Sequence, residues 1–376
     1  MKHRLALAVI LVAYVAVLWV TAPAIGFTRD EGYYFKAAGE YFGWFAAVLE
    51  DPAKAVSTST IDAYFTYNHE HPALVKLVQG GFHALLHDTL GSTSHAQGYR
   101  AAGFFFAALT LFATYLLGRV VAGPVVGLAA ALLMTAMPRF FFDAHLATFD
   151  VPITAMWTLS LATFWWMWSA QPKVVSSRAL AVGVIFGLSL STKLNALFLP
   201  IVFVAVWLHE PPAPWIPRLA KDAVGSRVLT LPSIPLSLVI IAIVGCLVFL
   251  ATWPWLWPDP WPRLLEYLRF HLRHEHYPIS YFHTLHVEPP FPWSFPWIMT
   301  LFTVPSGILL AAVLGLVERL PGLWRRDGRS MLLLAGALLP IVLISMPSTP
   351  IFGGTKHWYN ALPACAFVRR GSRNER

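Results

Sequence analysis

The sequence predicts an all-α polytopic membrane protein, a bundle of transmembrane helices with amphipathic interfacial helices in its first outer loop. Three observations predict it. Of 376 residues, 57% are hydrophobic and 12% charged, where soluble domains carry about 25% charged residues. The mean hydropathy is +0.60, and the apolar residues gather into long runs. Two stretches without such runs, 28–99 and 252–293, are rich in Trp and Tyr, which suit the headgroup level. The net charge of +8 is placed by membrane topology rather than by nucleic acid. Cys246 and Cys365 lie in apolar runs, are expected to be small buried hydrophobes, and imply no disulfide framework.

The elements follow in order. Leu5–Ile25 matches the roughly 20 helical residues that cross a bilayer core. It exceeds the apolar core of a signal peptide and reads as a retained signal-anchor with its N-terminus inside. Tyr33–Glu50 is amphipathic, with Lys36, Glu40 and Glu50 on one stripe and aromatics around the rest. Pro72–Leu90 carries a second polar stripe, Lys76, Gln79, His83 and His87. Such helices lie in the interface plane.

Ala101–Leu117 and Val120–Met137 predict a hairpin turning at Gly118-Arg119, and a span follows over Val151–Trp168. Gln171–Arg178 is a basic loop. Ala179–Leu190 and Leu194–Leu208, split by Ser191-Thr192-Lys193, are each short for a full crossing. His209–Arg227 is a proline-rich loop, and Val228–Ala251 a span. Ser294–Leu316 and Met331–Ile344 cross again around a basic loop, Glu318–Arg329. Trp358–Val368 is about half a span long, and 369–376 is a basic polar tail. Residues 1–368 form one transmembrane domain.

Basic residues fix the orientation. Lys2, Arg4, Arg119, Lys173, Arg178, Arg218, Lys221, Arg325 and Arg326 fall in the termini and loops that share a side if the N-terminus is inside. The first and second outer loops, 28–99 and 252–293, hold most of the acids and most of the histidines and are expected to face outward.

Four outward clusters could carry chemistry. They are Asp30-Glu31; Asn68-His69-Glu70-His71-Pro72; Arg139 to Asp150; and the late loops Arg269–Tyr277 and Gly353–Tyr359. Sugar transfer from a lipid phosphate needs a carboxylate to take or orient the acceptor proton. It also needs cations where charge develops on the leaving phosphate. Each cluster has a plainer reading. Asp30-Glu31 can be a solvated loop start. Asp150 precedes Val151-Pro152 and can be only an N-cap. Lys193 can snorkel. His83 and His87 have the i,i+4 spacing of metal ligands, but a wet helical face is the expected reading. Glu70 with His69, His71 or a late histidine could bind zinc, but the spacing is not diagnostic.

In order, these motifs resemble the integral-membrane glycosyltransferases of the GT-C fold. They are closest to the protein O-mannosyltransferase-like superfamily that includes lipid A aminoarabinose transferases. Asp30-Glu31-Gly32-Tyr33-Tyr34 resembles that family's first-loop acidic motif. Glu70-His71-Pro72-Ala73-Leu74 resembles its next element, with Ala73 replacing a proline. Gly187 to Thr192-Lys193 and Lys356 to Pro363 resemble two later ones. The resemblance covers nearly the whole chain. It implies Asp30 as the catalytic carboxylate, Glu31 as a neighbour shaping it and Asp150 as a second acid. Arg139, Lys193 and Lys356 would face the carrier phosphate, and Glu70, His71, His145 and His357 would lie near substrate or a metal.

No cofactor is firmly implied, and a divalent metal is left open. The implied partners are membrane lipid, a polyprenyl-phosphate-linked sugar donor, and a protein, lipid or glycan acceptor, with no nucleic acid. A bacterial inner membrane with the site facing outward is the expected location. Family members continue with further spans where this chain stops, which reads as a shortened C-terminus. The competing class, a lipid or sugar transporter, should hold ionisable groups at mid-membrane on broken helices. Here charges crowd one surface.

Overall fold

The computed structural model describes residues 2–170, 176–209, 218–221, 227–230, 234–273, 275–351 and 354–365. Parts of the predicted loops at 171–178 and 209–227, together with His274, Gly353 and the tail 369–376, lie outside the described residues.

Helix α1 (Lys2–Thr21) ends in a short 3-10 turn. Helix α2 (Arg29–Glu50) then starts at Thr28, whose backbone N–H donates to Glu31 Oε2 at 3.0 Å. This is the reciprocal half of a capping box. Helices α3 (Pro52–Ala55), α4 (Thr58–Phe65) and α5 (Leu74–His83) follow, and α5 continues into a π turn, Ala84–Thr89. A Cβ at Gly80 would lie 2.5 Å from the Ala38 carbonyl oxygen, so glycine is what lets α5 close onto α2. The polar stripe expected to face water on α5 points inward instead. Lys76 and Gln79 are buried, and so is His83. Periodicity locates a stripe but not the partners that can hold it inside.

The next turn also differs from expectation. Helix α6 (His95–Ala122) runs straight through Gly118-Arg119, and the chain breaks at Gly123 (φ 98°), from which Pro124 starts α7 (Pro124–Thr135). Positive φ followed by proline at the first helical position is a stronger stop than glycine alone. Helix α8 (Pro138–Ala144) is bent 73° from α7. Helix α9 (Asp150–Trp168) is buried at nearly every position and packs along α6. An all-round apolar helix is a core helix.

Helices α10 (Ser177–Leu190) and α11 (Leu199–His209) are separated by a 3-10 turn, Leu194–Phe198. Strands β1 (Arg218–Lys221) and β2 (Arg227–Thr230) pair antiparallel, so the span expected from Val228 begins only at α12 (Leu236–Thr252), after Pro235. Helix α13 (Pro260–Leu272) and the hairpin β3 (Ile279–Tyr281) with β4 (Thr284–His286) fill the second loop. The run Ser294–Leu316 is not one span. It splits at Pro305 into α14 (Phe295–Thr303) and α15 (Ser306–Trp324), which carries Glu318 and Arg319 within it. A proline lacks the N–H that a continuous helix needs. Helices α16 (Gly328–Ile344) and α17 (Leu362–Cys365) flank two 3-10 turns, Gly354–His357 and Tyr359–Ala361.

Among the described residues, three helices are long and apolar enough to cross a membrane, or four if the bent α7–α8 pair is one span. The chain is an integral membrane protein. Cys246, expected to be buried, is exposed on α12, which presents apolar side chains outward.

Candidate active site

Asp30 and Glu31 are neighbours in the first turn of α2, yet about 100° apart around the helix. Glu31 faces inward and is fully buried. Arg100 on α6 donates to it twice, Nε to Oε1 at 2.8 Å and Nη2 to Oε2 at 2.7 Å, and the Ala147 N–H adds a third bond at 3.1 Å. Arg100 also donates to the carbonyls of Ile25 and Gly26. This clasp sets the position and axis of the turn that carries Asp30. Asp30 itself is half-exposed, with Lys356 Nζ 3.3 Å from its Oδ2.

A second acid–lysine pair lies at the start of α9. Asp150 is buried, and Lys193 Nζ donates to its Oδ1 at 2.7 Å. Lys193 therefore does not snorkel, and Asp150 is not the cap: Phe149 holds that position and Asp150 is the first residue of α9. Lys356, the partner of Asp30, also acts electrostatically on Asp150. Its turn is held from the segment after α10, where Asn195 Nδ2 donates to the His357 carbonyl at 2.9 Å.

Aromatic side chains wall these pairs. Tyr34 meets Phe149 edge-on at 4.7 Å, and His71 lies 4.6 Å from Phe149 and 6.0 Å from His271 between ring centroids. Burial, then the neighbouring Lys76, His271, Lys193 and Lys356 side chains, hold the His71 imidazole well below the usual histidine range. It is neutral at physiological pH. Asn68 Nδ2 donates to Glu70 Oε1, and His271 Nε2 lies 3.0 Å from the Glu70 carbonyl oxygen. The turn 68–71 is built on buried Lys76, which donates to Tyr41 Oη and to the carbonyls of Asn68 and His71.

The remaining expected residues have other partners. Arg139 donates through Nε to Asp143 at 2.7 Å, beside the buried Tyr359. His145 packs between α8 and α1, with Nε2 2.8 Å from Thr21 Oγ1 and Nδ1 2.7 Å from the Phe141 carbonyl oxygen. Both its ring nitrogens are engaged with protein.

Sequence reasoning does not single out two residues on which the geometry rests, Arg100 and Lys76. For Arg100 a signal exists: a charge at the head of an apolar helix needs a partner. For Lys76 there is none, because its three acceptors come from other segments.

No family model and no curated protein matches the sequence. Solved structures do. ArnT from Cupriavidus metallidurans bound to undecaprenyl phosphate matches 96% of this chain over 58% of its own, with TM-score 0.59 and 16% identity. The apo oligosaccharyltransferase of Archaeoglobus fulgidus matches 97% of this chain over 49% of its own, with TM-score 0.56 and 12% identity. The archaeal oligosaccharyltransferase AglB, from the same organism, in complex with an inhibitory peptide and a dolichol-phosphate, gives TM-score 0.55 at 13% identity. The chain spans 49–58% of the length of these proteins. Its helices are arranged as theirs are, and the chain has the GT-C fold of membrane glycosyltransferases.

Proposed function

We propose that this chain carries the machinery of an integral-membrane glycosyltransferase that moves a sugar from a polyprenyl-phosphate carrier to a hydroxyl acceptor. The observation that carries the reading is the two acid–lysine contacts, Asp30–Lys356 and Asp150–Lys193, with the charge of Lys356 acting on Asp150 as well. Asp30 is the accessible carboxylate. It accepts the acceptor's proton as the acceptor oxygen bonds to the sugar's anomeric carbon. The bond from that carbon to the phosphate oxygen breaks, and its electron pair leaves with the polyprenyl phosphate. Lys356 supplies positive charge toward that developing charge, and Lys193 holds Asp150 beside it through the 2.7 Å contact. Arg139 offers a further cation on the same side of the fold. Similar structures hold undecaprenyl phosphate or dolichol-phosphate, in line with this donor class.

Transfer of radiolabelled sugar from polyprenyl-phosphate donors, in membranes holding wild type or Asp30→Asn, tests the reaction. Label should move with the wild type and not with the variant. Equal transfer by both would overturn the assignment. The basic bias supports placing the site on the outer face. Ser57→Cys and Ser280→Cys, in a chain freed of Cys246 and Cys365, should react with an impermeant thiol reagent in intact cells. Protection of both until lysis would reverse that orientation.

A further inference from the structure

We propose that His83, His87 and His95 form a binding site for a transition-metal ion of the zinc class, separate from the acid–lysine pairs. His83 ends α5, His87 sits in the π turn and His95 opens α6. One ligand atom from each lies within 4.8 Å of the others. The π turn is a local departure from α geometry of the kind found at functional sites.

The outer contacts fit the metal reading better than a solvated stripe. His83 Nδ1 lies 3.2 Å from Asp88 Oδ2, and His87 Nδ1 lies 2.8 Å from the Thr93 carbonyl oxygen. Each partner is an acceptor, so each Nδ1 carries the proton and each Nε2 keeps its lone pair. A carboxylate or carbonyl on the far nitrogen is the usual support of a metal-bound imidazole. His83 Nε2 stands 2.9 Å from His95 Nδ1, bridged in the free state by one proton. Two nitrogens at about 2.0–2.1 Å from one tetrahedral zinc stand about 3.3 Å apart. The pair must open by a few tenths of an ångström as the metal replaces that proton and His95 moves its own to Nε2. His95 is exposed, which leaves an entry path and a fourth position for water.

The surrounding packing is built to this approach. A Cβ at Gly98 would lie 3.1 Å from His83 Cα and 3.3 Å from His87 Cβ. Tyr99 stacks on His83 at 4.0 Å and on Phe35 of α2 at 4.9 Å. A metal here would fasten the end of α5 to the head of α6, one turn before the Arg100 clasp.

The test uses the full chain, purified in detergent with a tag free of histidine, stripped with chelator and equilibrated with micromolar Co²⁺ or Zn²⁺. Wild type should take up one equivalent of zinc and give the visible absorption of tetrahedral Co²⁺. The His87→Ala/His95→Ala double variant should lose both, while His69→Ala keeps them. Asp88→Asn, an exposed change that spares every ligand, should weaken binding about 10–100-fold. Its affinity still tests the site if the double variant aggregates. A wild type without the Co²⁺ spectrum, full uptake by a folded double variant, or unchanged affinity in Asp88→Asn would overturn the site.

Discussion

Asp30 and Glu31 are identical in charge, adjacent in sequence and opposite in circumstance. Glu31 is sealed from solvent and accepts from a guanidinium and two backbone N–H groups. Asp30, one step around the same helical turn, is half-exposed and meets Lys356 at 3.3 Å. A carboxylate with its lone pairs taken cannot accept a substrate proton, whereas one in a single longer contact can. The lysines repeat the contrast. Lys76 spends its three protons on protein acceptors, and Lys193 is locked to Asp150 at 2.7 Å. Lys356 is partly exposed. Buried members of each set hold the architecture, and their more accessible counterparts are the ones the proposed reaction uses.

The largest expected effect lies on the accessible side. Asp30→Asn keeps size and removes the charge, so sugar transfer should fall about 10²–10⁴-fold with membrane abundance unchanged. Glu50→Gln, at the exposed end of α2, serves as the control. Near-normal turnover in a well-expressed Asp30→Asn protein would erase the distinction and move the catalytic role to Asp150.

On the buried side the pattern should invert. Glu31→Ala strands the Arg100 guanidinium, and Arg100→Ala strands the Glu31 carboxylate. Breaking one partner of a buried pair costs about 3–5 kcal/mol. Both variants should show lower abundance and earlier thermal unfolding in detergent, and activity should fall in step with folded protein. A stable Glu31→Ala protein that is nevertheless inactive would give Glu31 a direct chemical role and break the comparison.

Lys193→Gln should fall between these cases. Asp150 would be left buried without its nearest cation, so stability and turnover should drop together. Thermal shift and transfer rate measured on one preparation would show this. Unchanged stability would mean that Lys356 alone is enough to hold Asp150.

The helical membrane class and the apolar run that becomes α9 are legible in the sequence, and Asp30 and Asp150 stand out there as candidates, because all rest on local signals: run length, aromatic density and charge at the edges of apolar runs. The turn at Gly123 is not, because Gly118-Arg119 offers the same glycine without the proline that fixes a break. Lys76 reads as part of a wet stripe, and Lys193 as a residue that can snorkel or face the carrier phosphate, since the sequence does not show Asp150 or the 68–71 carbonyls arriving from other segments. The histidine cluster is hidden for the same reason. His83 and His87 share a helical spacing, but His95 joins them only through the fold. Asp30 and Glu31 are visible as a pair, but which of them faces Arg100 depends on the rotation of α2, which Thr28 and Ala147 determine together.

The smallest expected effect concerns Lys356, and it separates binding from architecture most cleanly. Its turn is held by backbone contacts, with Asn195 donating to the His357 carbonyl and the Trp358 N–H to the Thr355 carbonyl. Truncating the charge should therefore leave the turn in place. Its partner Asp30 is solvated enough to stand alone, so Lys356→Gln should change stability by no more than about 1 kcal/mol, as for other exposed pairs. The donor's phosphate, in contrast, would lose a charge-assisted contact whose net worth is about 1.5–3 kcal/mol. That predicts a rise of about tenfold or more in the donor KM, measured with saturating acceptor, together with a fall in kcat because charge grows on the phosphate as it leaves. Lys356→Arg keeps the charge and should restore most of the affinity. If Lys356→Gln instead unfolds the protein, Lys356 belongs with Glu31 and Lys76 among the residues that hold the fold. If donor KM stays constant in a stable variant, the phosphate is bound by other cations, and Arg139 becomes the next to replace.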